Sequence, residues 1–506
     1  MKKHLILGAL TLSLSFLAVY PLRALALEPG LPIRTESLDI SPQRVATPNT
    51  VRQENYDYPS VKLAPKPDGG SYLGWTDSEW NAHITPLDAF DKRAGADIVI
   101  PHRGLMALVA RADGFAVLLS QPVLPDPSYT TLQMMSLYLA QYRADGSRDF
   151  ETTLIADSDI RDEKGTILDS WGNVELVWSG QHYAAYCATS HNWGTRAVPD
   201  IHQGDALFIV DGAGQLLEPS WIEQTVGEKS LGYSVGGWRW NVSHSFEQRL
   251  VSNGRFFAML AKGDAYPRGL TLNYQADPSA RATDALGLKS GSQNLLPMKG
   301  EIGLNYVPLA LGDMVLLGDG PLISFTTSED RPTYDVGLMK VNWAGEIQFI
   351  KWLTKSDQYQ ENSVKMARYG QNILIGWSRF VHPGDRPNGE SGSYDCCESS
   401  VLGVLDPQGE WLQPPAVVDL LFAYNWVIHE NKQIHVYHQD RFDRFTGGHF
   451  VSFPGGEAGW AESIGNPGQI LIHRVLNPDQ QSVLEDQSWD LQQYQVPVQE
   501  NFPPKD

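Results

Sequence analysis

Short apolar runs, punctuated by Gly, Asn and Asp, alternate along almost the whole chain. The recurring unit is an apolar strand, a turn and a second apolar strand. It stands at Val61–Asp77 (turning at Asp68-Gly69-Gly70), Ala107–Ser120, Glu175–Thr189, Arg249–Lys262, Val307–Leu317, Val364–Trp377 and Trp426–His438. The β-branched and aromatic residues of these runs, with the chemistry of their turns, predict β-hairpins. A second set of hairpins lies between them. It turns at Asp88–Asp91, Asp145-Gly146, Asp211-Gly212, Asp277, Trp343-Ala344-Gly345, Asp406–Gly409 and Gly455-Gly456. Successive turns of this set stand about 60 residues apart. Between residues 61 and 462 helical periodicity is almost absent.

Two interleaved hairpins per unit give four antiparallel strands. Seven such units predict an all-β fold, a β-propeller of seven four-stranded blades. Gly465–Leu476 is one hairpin more than seven units need. It either closes the ring beside the first unit or opens an eighth blade. The expected boundaries are a signal peptide at 1–26, an N-terminal arm at 27–60, the propeller at 61–480 and a Pro- and Gln-rich tail at 481–506. The hairpin order resembles that of bacterial secreted β-propellers with divergent repeats, most clearly over Gly69–Leu87. The resemblance covers nearly all of the mature chain, at the level of repeat architecture. WD dipeptides do not recur in register, nor do kelch-type glycine pairs. Asp406-Pro407-Gln408-Gly409 has one residue too many for a sialidase-type Asp-box. Propellers carry enzymes, receptors and scaffolds alike, so the superfold leaves the function open.

The first 26 residues read as a leader. Lys2, Lys3 and His4 make a positive start, Leu5–Tyr20 is an apolar run, and Ala24-Leu25-Ala26 fits the small-x-small cleavage rule. No later apolar run approaches the ~20 residues of a membrane span. The expectation is a secreted or periplasmic protein, free of the membrane once the leader is removed. The formal charge of −20 (39 Lys plus Arg, 59 Asp plus Glu) argues against nucleic acid as a partner. Three cysteines exclude a disulfide scaffold. Cys187 falls in an apolar strand and reads as a buried thiol. Cys396 and Cys397 are adjacent in a polar loop, where a bond between them would be strained.

In a propeller blade the strands run A to D outward from the axis. The A–B and C–D turns lie on one face, the B–C and D–A loops on the other. The long polar segments of this chain are B–C or D–A loops and therefore gather on one face, where binding residues usually sit. The catalytic candidates there are His191, His244, Asp264, Tyr266 and Arg268. The ligand-binding candidates are Trp193, Trp238, Trp240, Arg379 and His438. Tryptophan and tyrosine suit stacking on a sugar ring or filling a partner pocket. A His and Tyr pair suits proton transfer in a polysaccharide lyase, and paired carboxylates suit a glycoside hydrolase. Arg268 and Asp264 can equally brace a turn as an ion pair. His191, Trp193, His244, Asp264, Tyr266 and Arg268 are expected to line one depression. No metal site is expected beyond a faint calcium-loop pattern at Asp157, Asp159 and Asp162, which Arg161 interrupts. Phosphate-cradling and nucleophile-elbow motifs are missing. The sequence thus favours a binding or scaffold propeller for a carbohydrate, peptide or protein, with a carbohydrate-active enzyme as the alternative.

Overall fold

The computed structural model describes residues 31–43, 45, 61–122, 135–156, 174–192, 194–217, 245–264, 268–279, 293–300, 307–356, 359–381, 399–418, 450–464 and 468–476. The short stretches 162, 165–168, 225–226, 229–230, 234–235, 238–243, 428–430 and 433–435 complete the set. These residues form a seven-bladed β-propeller of antiparallel sheets. Six blades have four strands, and the third is larger. The inner strands of blades 1 to 7 are Val61–Pro65, Gly104–Ala110, Val174–Trp178, Ser245–Ser252, Leu309–Leu317, Tyr359–Tyr369 and Val451–Ser452. No eighth blade is present among the described residues.

The ring is closed by both ends of the chain. Blade 7 runs Val451–Ser452, Ala458–Ile464, Gln469–Val475 and then Ile33–Asp39 as its outer strand. Part of the segment expected as a free arm therefore belongs to the sheet, paired from Ile33↔Val475 to Asp39↔Gln469. Gln469–Val475, from the hairpin expected at Gly465–Leu476, is one of the two middle strands of this blade, and Gly455-Gly456 is its inner turn rather than an outer one. The hairpin expected at Trp426–His438 supplies no strand to it: Ile428–Glu430 and Gln433–His435 pair only with each other.

Blade 3 splits two of its strand positions. Thr166–Leu168 and Val174–Trp178 share the inner edge of His182–Asn192. Leu216–Leu217 and Trp238–Ser243 share the outer edge of Ile201–Asp211. Blade 5 departs from expectation at Gly312-Asp313, which is a bulge within one strand; the turn follows at 318–319. A Cβ on Gly312 would stand 2.2 Å from Ser324 Oγ, so only glycine lets the strand bend there.

The cores lie between the blades. Trp75, Trp377 and Trp460 are wholly buried on the second strands of blades 1, 6 and 7. Trp75 stacks on its cross-strand partner His83 at 4.0 Å, and Trp460 lies 4.9 Å from its partner His473. Side chains also cross from blade to blade to take backbone N–H groups on the inner edges, which the ladders leave unpaired. Thr76 Oγ1 accepts Leu105 N at 2.9 Å, Glu247 Oε2 accepts Leu311 N at 2.6 Å, and Asp313 Oδ2 accepts Met366 N at 2.8 Å. These bonds fix the inner strands of blades 2, 5 and 6 against the blades that precede them.

Candidate functional site

Inner strands of all seven blades converge on an axial cavity of about 230 Å³. Its wall mixes polar and apolar surface: Leu63, Met106, Leu176, Met314 and Met366 alternate with Lys62, Glu175, Arg249 and Asp313. Arg249 is fixed within the wall. Its Nε donates to Gly312 O at 2.6 Å, and Asp313 Oδ1 lies 3.6 Å away. Beside it Lys262 Nζ meets Glu247 Oε1 at 2.5 Å, both groups buried. These four charges of blades 4 and 5 are thus held in pairs.

The B–C and D–A connections open on one face around this axis. The A–B turns on the other face are short, as at 111–113, 318–319 and 370–371, whereas 32 residues separate the outer strand of blade 6 from the inner strand of blade 7. At the long-loop end of blade 6, Glu361 is buried among Trp377, Arg379 and Tyr359. Trp377 Nε1 donates to Glu361 Oε2 at 2.7 Å, and Arg379 Nε to Oε1 at 3.0 Å. The Arg379 guanidinium also stacks 4.8 Å from the Tyr359 ring. Burial pushes the Glu361 carboxyl up to about 7, against the opposing pull of Arg379 and Trp377.

No family model matches the chain, and no curated protein matches it in sequence. Solved structures resemble its fold. A protein of unknown function from Dyadobacter fermentans is 9% identical over 88% of this chain and 98% of its own, with a TM-score of 0.39. A prolyl endopeptidase is 11% identical over 85% of this chain and 52% of its own (TM-score 0.38), so the present chain spans about half of that enzyme. The GH93 α-L-arabinofuranosidase of Fusarium graminearum is 10% identical over 68% of this chain and 92% of its own (TM-score 0.37). At such identities the likeness extends to the fold alone.

The residues chosen from sequence are placed unevenly. His191 belongs to the strand rather than to a loop. It is wholly buried, and its Nδ1 meets Thr166 Oγ1 at 2.5 Å. Asp264, at the end of the second strand of blade 4, is also wholly buried. Arg268 donates to backbone carbonyls, from Nε to Lys299 O at 2.8 Å and from Nη1 to Asp264 O at 3.5 Å. Trp238 and Trp240, expected in a loop, lie on a strand paired with Phe208 and Ala206. Arg379 is clamped by Glu361 and only 8% exposed. His244, Tyr266, Trp193, His438, Asp157, Asp159, Cys396 and Cys397 lie outside the described residues, as do the leader and the tail. Asp162 forms an exposed ion pair with Arg196. Among the described residues no group of three His, Cys, Asp or Glu side chains is arranged to hold a metal, and no helix is long and apolar enough to cross a membrane. Cys187 is a buried free thiol, pushed up by desolvation. Glu361 was not among the candidates. Its only sequence signal is an acid at the start of an inner strand.

Proposed function

We propose that the protein is an exported binding propeller that holds a carbohydrate, peptide or protein on the long-loop face, over the mouth of the axial cavity. The observation that carries this reading is the cavity itself, concave and of mixed polar and apolar surface, walled by inner strands that side-chain hydrogen bonds hold in place. A rigid concave wall binds without a large ordering cost. The described catalytic candidates favour binding over catalysis. His191 and Asp264 are wholly buried, and Arg268 donates to the backbone carbonyls of Lys299 and Asp264.

The test is a screen of the mature protein against acidic and neutral glycans that scores both retention and cleavage. Retention without cleavage is the expected result. Cleavage of any glycan would replace this reading with the enzymatic one. Export has its own check. Mass spectrometry of the native protein should find a mature N-terminus near Leu27, and an intact Met1 leader would contradict export by cleavage.

A further inference from the structure

Among the described residues six large apolar side chains are exposed. Val99, Val198 and Leu412 stand singly, in blade 1, in a loop of blade 3 and in blade 6. Single exposed apolar residues are ordinary; a group of them marks a contact surface. The other three share one strand, Ile347–Trp352, at the outer edge of blade 5. Ile347 is 42% exposed, Ile350 39% and Trp352 39%.

Strict alternation would put Ile347 on the opposite side of the sheet from Ile350. A bulge corrects this. Ile347 pairs with Val341, Ile350 with Met339 and Trp352 with Gly337, and Gln348 is the extra residue. Val341, Met339 and Gly337 are alternate residues of their strand and share one side of the sheet. Their partners Ile347, Ile350 and Trp352 therefore form one evenly spaced stripe, with Ile350 at its centre. The charges beside it are matched. The Arg331 guanidinium stacks 3.5 Å over Trp352 and pairs with Asp335 Oδ2 at 2.6 Å. Phe325 meets the same indole edge-on at 5.6 Å. Lys351 reaches Glu410 Oε1 at 2.5 Å and Gln408 O at 2.6 Å, both on blade 6.

We propose that this stripe joins two copies of the chain about a two-fold axis at Ile350. With the two strands antiparallel, Ile350 packs on Ile350 of the second copy. At either end Ile347 of one copy packs on Trp352 of the other. Even spacing about a central residue is what lets a surface meet itself in an isologous contact. Charge selects the same occupant. Each chain carries a formal charge of −20, so two copies repel over most of their surface and meet best at a neutral patch. A cationic partner would be drawn to the acidic surface rather than to this stripe. The strand stands on the perimeter of the ring, clear of the axial cavity, and the inference does not rest on the binding reading. So small a patch lies well below a standard interface, so the dimer is weak, with a Kd on the order of 0.1 mM.

Sedimentation of the mature protein over a concentration series spanning that value tests the join. Wild type should pass from monomer to dimer, and more readily at high salt, which screens the repulsion between the chains. Ile350→Lys and Ile350→Glu each set like charges face to face on the two-fold axis. Each should weaken the dimer by roughly tenfold or more, with the melting temperature within a few degrees of wild type. An equal mixture of the two variants should dimerise again, because opposite charges then meet. Val198→Lys, at a loop tip 73% exposed, should leave the equilibrium unchanged. A wild type that stays monomeric throughout overturns the proposal. So does a dimer that neither Ile350 variant weakens, or a mixture that fails to recover, since the copies then do not meet at Ile350.

Discussion

Replacing Asp91 by Asn should remove about 3–5 kcal/mol of stability, the cost usual for breaking a buried ion pair from one side. Asp91 lies in the outer connection of blade 1 and is wholly buried. It receives the guanidinium of Arg474 on Oδ1 and that of Arg34 on Oδ2, the latter at 2.6 Å. Arg474 belongs to the third strand of blade 7 and Arg34 to its outer, N-terminal strand. One carboxylate thus holds the first blade, the last blade and the strand that closes the ring.

The rest of the cluster does not offset the loss. Arg474 is 2% exposed, stacks 3.6 Å over Phe453, donates to Gly69 O at 3.1 Å and meets Glu457 Oε2 at 3.1 Å. Glu457 faces only one of the two cations, so removing Asp91 leaves buried positive charge in excess. Asn is the informative substitution because Asp91 has a φ of 64°, which Asn tolerates and Ala does not. Denaturant unfolding measures the effect. The exposed pair Lys351–Glu410 serves as control, and Lys351→Ala should leave the midpoint nearly where it is. A midpoint for Asp91→Asn equal to that of the control would mean that pairing along Ile33–Asp39 closes the ring without the charge cluster.

What was legible in the sequence follows the distance between partners. The inner hairpins of blades 1 to 4 and 6 join strands separated by turns such as Asp68-Gly69-Gly70 and Asn253-Gly254-Arg255, whose chemistry is local. The outer strand of blade 7 was not legible. Ile33–Asp39 pairs with a strand more than 400 residues away, and its burial lacks clean alternation. Gly312-Asp313 misled because bulges and turns use the same residues. In the site, His191 looked like a loop residue because nothing in the local sequence announces that Thr166–Leu168 covers the strand end.

The second large effect is one of pH, and its sign is set by Glu361. Burial raises its carboxyl to about 7 in the folded protein, against an ordinary value of 4.5. Below the ordinary value the group is protonated in both the folded and the unfolded chain, and it contributes no pH dependence. Between 4.5 and 7 the unfolded chain releases the proton while the folded chain keeps it, so stability falls as pH rises. Above 7 the whole cost is present, on the order of 3 kcal/mol. Glu361→Gln reproduces the neutral form. The amide oxygen can still accept Trp377 Nε1 or Arg379 Nε, and nothing at this position ionises. Every other titrating group is shared by the two proteins and cancels in the comparison. The variant should therefore match wild type near pH 4.5 and exceed it near pH 8 by about that amount, read by denaturant unfolding across the range. Parallel pH profiles would show that Arg379 keeps the carboxylate ionised throughout. The predicted divergence instead makes the start of Tyr359–Tyr369 and the end of Asn372–Val381 tightest under mildly acidic conditions. Those strand ends border the long-loop face, so ligand retention there should be measured on both sides of pH 7.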